Sequence, residues 1–76
     1  MLDRNKLRAK LIEHGLSNEK LAAILGVNPA TVYRKINGSS DFSRNEIQII
    51  KLELHLSAEE TEAIFFASKP TETQVS

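Results

Sequence analysis

Four polar side chains within eight residues have the chemistry to read a nucleic acid: Asn28, Tyr33, Arg34 and Lys35. Arg34 can donate two parallel hydrogen bonds to O6 and N7 of guanine, and Asn28 can pair with adenine in the same bidentate manner. Tyr33 can stack on a sugar or reach a phosphate, a contact that positions a protein without reading sequence. Asn28 is also a helix cap, and the other three residues also suit an ordinary protein surface.

Residues suited to catalysis or metal binding are sparse. The chain has no cysteine, which excludes disulfides, thiolate zinc sites and cysteine nucleophiles. Its two histidines, His14 and His55, each fall near a predicted helix end, where a positive charge interacts favourably with the helix dipole. No histidine or carboxylate spacing resembles a metal site, and no glycine-rich phosphate loop is present. We therefore expect no enzymatic activity, cofactor, metal or small-molecule substrate.

Length and apolar content fit one small domain. The chain has 76 residues, of which 41% are hydrophobic, so it has room for a single core. Its apolar runs are short, as at residues 64–67, whereas a membrane span needs roughly 18 residues. The N-terminus lacks the apolar stretch of a signal peptide. We expect a soluble, intracellular domain over residues 1–68 and a flexible tail over residues 69–76.

The formal charge is zero, but it is distributed unevenly. Residues 1–44 hold eight basic and four acidic residues, a net charge of +4, and residues 45–76 hold two basic and six acidic residues, a net charge of −4. The basic half would orient the domain in the field of a polyanion, while the overall neutrality limits non-specific affinity. Neutrality therefore does not exclude a nucleic-acid partner.

Five short helices must position these side chains, because apolar residues recur with helical spacing nearly throughout. The predicted helices cover residues 3–14, 18–25, 29–37, 43 to about 54, and 57 to about 67. The predicted N-caps are Asp3, Ser17, Asn28, Ser43 and Ser57. The last two each precede a glutamate by three residues, which is the spacing of a capping box. The last helix should bury Ile64 and either Phe65 or Phe66.

The two helices between residues 18 and 37 form the most informative unit. They are joined by a turn of about three residues that contains Gly26, which is the geometry of a helix-turn-helix. Ala22 must be small where the helices cross, Gly26 must adopt a left-handed backbone, and Val32 must fill the angle between the helices. The remaining apolar contacts come from Leu21, Leu25 and Val27.

The segment 16–38, LSNEKLAAILGVNPATVYRKING, resembles the helix-turn-helix of Cro-type regulators, the small repressors of temperate bacteriophages and their bacterial relatives. The resemblance extends over about residues 7–56. Residues 42–47 and 54–60 look like a short phage-encoded branch of that family. The resemblance implies an all-α, five-helix, lambda-repressor-like fold and a transcriptional regulator that binds double-stranded operator DNA as a homodimer.

The resemblance also assigns roles to individual residues. The third helix would lie in the major groove with its first residues facing base edges. Its outward positions in this chain are Asn28, Pro29, Ala30, Tyr33 and Arg34. Asn18 stands where the family usually carries a glutamine that contacts a phosphate, and Asn37 and Arg44 match residues that contact the DNA backbone. Further candidate phosphate contacts are Lys35, Ser39 and Ser40.

Three positions depart from the family pattern. Pro29 and Ala30 stand where the family commonly has glutamine, arginine or serine, so they can offer only apolar contact, for example to a thymine methyl group. Lys35 stands where the family often has an apolar residue. We expect Ile36, one residue later, to take the apolar role.

For a dimeric regulator, the dimer surface is expected around residues 64–67. Other functions also remain open from sequence. With the same fold, the chain could instead be a protein-interaction module, such as an antitoxin or adaptor, whose working face is the acidic cluster Glu59, Glu60 and Glu62. A third possibility is an architectural DNA-binding factor, as in phage excision. A regulator of this kind would act in the cytoplasm of a bacterial host, associated with the nucleoid.

Overall fold

The computed structural model describes residues 1–67, and over this range the chain forms five helices and no strand. They are α1 (Arg4–Glu13), α2 (Asn18–Leu25), α3 (Pro29–Ile36), α4 (Arg44–Glu53) and α5 (Ala58–Phe65). The five predicted helices are confirmed, although α5 ends at Phe65 rather than near Ala67. The tail predicted for residues 69–76 lies outside the described residues. None of the helices in residues 1–67 is long and apolar enough to cross a membrane.

The helices begin at the side chains that the sequence predicts as caps. Each cap oxygen accepts a backbone N–H from the first turn of its helix, as Asn28 Oδ1 does from Ala30 at 2.8 Å. Ser43 and Ser57 each complete a capping box, because the glutamate three residues later accepts the serine backbone N–H in return. These local bonds fix where each helix starts.

A single core joins the five helices. α2 packs against α3 and α4, and α1 packs against α5. The buried apolar side chains are Leu7, Leu11, Leu21, Ala22, Val32, Ile36, Phe42, Ile50, Leu54, Leu56, Ile64 and Phe65. Phe42 and Phe65 meet edge to face, with ring centroids 5.7 Å apart. Phe65 is therefore the buried member of the phenylalanine pair in α5, and Phe66 is exposed.

Two turns need a residue with a positive φ, and one of them uses glycine whereas the other uses histidine. Gly26, after α2, has φ +73°, and a Cβ atom there would meet no atom within 4 Å, so glycine is needed for conformation rather than for space. His55, after α4, has φ +53° and is the one non-glycine residue among residues 1–67 with a positive φ. A side chain in this conformation is strained. The His55 ring lies 6.2 Å from the ring of His14, between centroids.

Candidate nucleic-acid interface

The turn after α2 presents one face of α3 to solvent. Ala22 and Val32 are both buried where the two helices meet, as the sequence predicts. Ile36 is also buried, which confirms that it takes the apolar role one residue after Lys35. Because these residues hold the inner face of α3 against the core, the opposite face of the helix is left uncovered.

The uncovered face carries the predicted base-reading residues. Pro29, Ala30, Tyr33 and Arg34 are all exposed, and Tyr33 retains 58% of its accessible surface. An exposed face on the second helix of a helix-turn-helix is the surface that enters the major groove in proteins of this architecture. The structure therefore brings the predicted base-reading residues together on one side of one helix.

Asn28 serves as a cap and keeps its amide donors. Its Oδ1 accepts the Ala30 N–H at 2.8 Å, and the residue is exposed. An amide oxygen has two lone pairs and the adjacent NH2 has two donors, so capping uses only one of four hydrogen-bonding positions. The capping role and the predicted contact with adenine are compatible.

Arg34 has a neighbour that the sequence analysis missed. Its Nη2 donates to Thr31 Oγ1 at 3.3 Å, one helical turn earlier. This single exposed contact restricts the guanidinium to the outer side of α3 while most of its five N–H donors remain for another partner. The spacing of three residues within a helix is the signal that could have revealed the pair.

Lys35 differs from the other predicted contacts because it turns inward. Its side chain is 15% exposed, and its Nζ donates to Glu46 Oε1 at 2.6 Å. The ammonium also lies 5.9 Å from the centroid of the Phe42 ring. The Lys35 ammonium is therefore held by a carboxylate of the chain itself, whereas the other predicted backbone contacts are not paired in this way within residues 1–67.

Glu46 is ionised more easily than an ordinary glutamate. Burial by itself would raise the pKa of the Glu46 carboxyl, but hydrogen bonds from Lys35 Nζ and from the Ser43 N–H outweigh it, so the pKa lies below its usual value. The carboxylate is the partner that holds Lys35, and it belongs to the capping box that opens α4. The pair joins the last turn of α3 to the first turn of α4.

The remaining predicted backbone contacts flank α3. Asn18 is half-buried at the first position of α2, and Arg44 is exposed at the first position of α4. Ser39 and Ser40 are exposed in the loop between α3 and α4. Helix N-termini carry partial positive charge, which favours phosphate at both the Asn18 and the Arg44 positions.

Arg4 joins this group although the sequence analysis did not select it. Its Nη1 donates to Asn37 Oδ1 at 3.5 Å, so the start of α1 lies beside the residue that caps the end of α3. Arg4 is exposed and opens a basic segment of four Lys and Arg residues at positions 4, 6, 8 and 10. The segment was a visible signal, but its contact with Asn37 spans 33 positions.

One of three comparisons with known proteins found a match. The family model described as helix-turn-helix matches residues 7–60, more than half of the chain. A search of curated proteins and a search of solved structures gave no match. The fold and the exposed face of α3 define a DNA-binding helix-turn-helix domain. The chain belongs to the helix-turn-helix family of DNA-binding regulators.

Proposed function

We propose that the chain is a Cro-like transcriptional repressor that reads operator DNA in the major groove with residues 29–37. The observation that carries the proposal is the exposed face of α3, where Ala30, Tyr33 and Arg34 lie opposite the buried Val32 and Ile36. Repression would follow when the bound protein occupies DNA that polymerase needs. Such a protein acts in the cytoplasm of a bacterial host, on its nucleoid.

The proposed contacts divide into two kinds. Arg34 pairs with a guanine, Asn28 with an adenine, and Pro29 and Ala30 offer apolar surface to a thymine methyl group, with Tyr33 at the edge of the groove. The backbone contacts come from Asn18, Asn37, Ser39, Ser40 and Arg44, to which the structure leads us to add Arg4. The first kind sets sequence preference, and the second sets orientation and salt dependence.

The proposed repressor is a homodimer, and Phe66 is the centre of the proposed dimer surface. Of the expected patch at residues 64–67, Ile64 and Phe65 are directed into the core, whereas Phe66 is 53% exposed. Phe66 and the 67%-exposed Met1 line a groove that also contains the proposed phosphate contacts Arg4 and Asn37, so the proposed dimer surface adjoins the proposed DNA surface. Sedimentation equilibrium of Phe66→Ser should show a weaker dimer than the wild-type chain.

Selection from a random pool of double-stranded DNA tests the function. We expect enrichment of a palindromic consensus with half-sites separated by about one helical turn, roughly 34–36 Å. An enriched but asymmetric site would support DNA recognition without the symmetric dimer. No enrichment would contradict the proposed regulator and would favour a protein-interaction module that uses the exposed Glu59 and Glu62 of α5.

A further inference from the structure

The ion pair between Lys35 and Glu46 lies next to the proposed phosphate contacts. Lys35 is the residue after Arg34 on α3, and Glu46 is two residues after Arg44 on α4. Lys35 Nζ and Glu46 Oε1 are 2.6 Å apart, and the two side chains are only 15% and 12% exposed. The same Oε1 accepts the Ser43 N–H at 2.8 Å. Three elements therefore converge on one oxygen: α3, the loop before α4, and α4.

A lysine at this position has an evident alternative partner. An ammonium at the end of a groove-reading helix can bind a phosphate, and such a contact strengthens binding to every sequence alike. Lysine carries its charge on a flexible four-carbon stem, so release from Glu46 would let Nζ move toward solvent. The carboxylate thus competes directly with DNA phosphate for the same cation.

We propose that Glu46 limits sequence-independent affinity for DNA by withholding the Lys35 ammonium from phosphate while it fixes the last turn of α3 on α4. This inference rests on the proposed DNA-binding function. Without Glu46, the Lys35 cation adds one sequence-independent contact, so affinity for operator and for non-specific DNA rises by the same factor. The base contacts of Arg34 and Asn28 stay as they are, and the salt dependence of binding becomes steeper.

A second ion pair in the chain provides a matched control. Glu60 occupies the same capping-box position in α5, accepts the Ser57 N–H at 2.9 Å, and accepts a hydrogen bond from Lys10 Nζ at 2.9 Å. This pair joins α5 to α1 and has no member on α3 or α4. Glu60→Gln changes the net charge by the same amount as Glu46→Gln, and glutamine is accepted in a capping box in both places.

The experiment measures binding to a non-specific duplex as a function of salt. Four proteins are compared: the wild-type chain, Glu46→Gln, Glu60→Gln, and the double variant Lys35→Met with Glu46→Gln. We expect Glu46→Gln to steepen the slope of log K against log salt by about 0.9, the value for one added phosphate contact. The double variant should return to the wild-type slope because the ammonium is gone, and Glu60→Gln should match the wild-type slope. For Glu46→Gln alone, operator affinity should rise by the same factor as non-specific affinity.

Three results would overturn the inference in distinguishable ways. If Glu46→Gln binds with the wild-type slope and affinity, the pair is only structural, although DNA binding itself stands. If Glu60→Gln steepens the slope equally, the effect comes from net charge rather than from Lys35. If the wild-type chain binds neither the duplex nor any selected site, the proposed function fails as well. Circular dichroism of each variant verifies that the helices are retained.

Discussion

The two capping-box glutamates show how one local pattern acquires two roles. Glu46 and Glu60 each accept a serine N–H three residues earlier and a lysine ammonium from a distant helix. Lys35 and Glu46 are 15% and 12% exposed, whereas Lys10 and Glu60 are 26% and 42% exposed. The two pairs differ in where the lysine lies. Lys35 belongs to α3, the helix with the uncovered face, whereas Lys10 belongs to α1, on the side that packs against α5. The two ion pairs show that opposite charges in this chain are neutralised locally, at different places in the fold.

The same comparison explains how a neutral chain can bind DNA. α5 holds Glu59, Glu60 and Glu62, and it packs against α1, whose segment 4–10 is basic. The opposite charges of the two halves of the sequence therefore meet in space at Lys10 and Glu60. At the other end of α1, Arg4 lies beside Asn37 at the end of α3, and within residues 1–67 none of its hydrogen-bond partners is a carboxylate. Positive charge remains where the proposed interface lies.

DNA affinity should differ most between variants on the α3–α4 side of the molecule and variants on the α1–α5 side. Arg34→Ala should cost about 1–3 kcal/mol of operator binding and relax the preference at one base pair. This corresponds to roughly a 5- to 150-fold rise in Kd. Arg44→Ala should instead weaken binding to all sequences alike. Fluorescence anisotropy with a selected site and a scrambled site measures both effects.

Lys10→Ala provides the control for these variants. It removes a cation from the α1–α5 side, so the operator affinity should stay close to the wild-type value. If Arg34→Ala binds both sites as the wild-type chain does, α3 is not docked in the groove as proposed.

The next difference is in stability. Glu46→Gln should lower the free energy of unfolding by about 1–2 kcal/mol, because it leaves a mostly buried ammonium without its counter-charge. Glu60→Gln should lower it by less, since the Lys10–Glu60 pair is more exposed to solvent. Urea unfolding at neutral pH, with the m-value verified to be constant, measures both. Equal losses for the two variants would contradict the structural distinction between the pairs.

The turn after α2, at Gly26, and the turn after α4, at His55, supply a third test. His55→Gly should raise stability by about 1 kcal/mol, because it relieves a left-handed backbone carrying a side chain. Gly26→Ala should lower stability by a similar amount for the converse reason, since its Cβ meets no neighbouring atom. Each change corresponds to a shift in Tm of about 4–8 °C for a domain of this size. If the Gly26→Ala chain had the same Tm as the wild-type protein, a side chain would not be strained in the left-handed backbone at position 26.

The smallest expected effect is on the acid side of the stability profile. Backbone and lysine hydrogen bonds lower the pKa of Glu60, and Lys35 and Ser43 lower that of Glu46 against the opposing effect of burial. A carboxyl whose pKa is lower in the folded protein than in the unfolded chain, where it is about 4.3, stabilises the fold at pH values above that unfolded pKa. This contribution is lost as the pH falls through the pKa of the folded state. Both glutamine variants should therefore lose less stability than the wild-type chain between about pH 5 and pH 3. Urea midpoints across this range that run parallel to the wild-type midpoints would contradict the pKa assignment.

Local features of the fold were predictable from sequence. The caps, the glycine turn and the inward position of Ile36 depend on residues within a few positions of one another, and the structure confirms them. The choice between Phe65 and Phe66 was not predictable, because it depends on how α5 approaches Phe42.

The partners of the charged residues were also not predictable from sequence. Lys35 finds Glu46 across 11 positions, Arg4 finds Asn37 across 33, and Lys10 finds Glu60 across 50. Such pairs are set by how the helices pack, and helical periodicity carries no information about them. The phosphate contact of Lys35 stays a prediction, but nothing in the sequence indicated that Glu46 binds the same ammonium.

Docking through the helix-turn-helix can be tested by an NMR titration of the isotopically labelled chain with its selected duplex. We expect amide shifts to concentrate in α3, in the loop at residues 37–40, and at Arg4 and Arg44. The α5 amides, over residues 58–65, should move little. Shifts concentrated in α5, with α3 unchanged, would contradict docking through the helix-turn-helix.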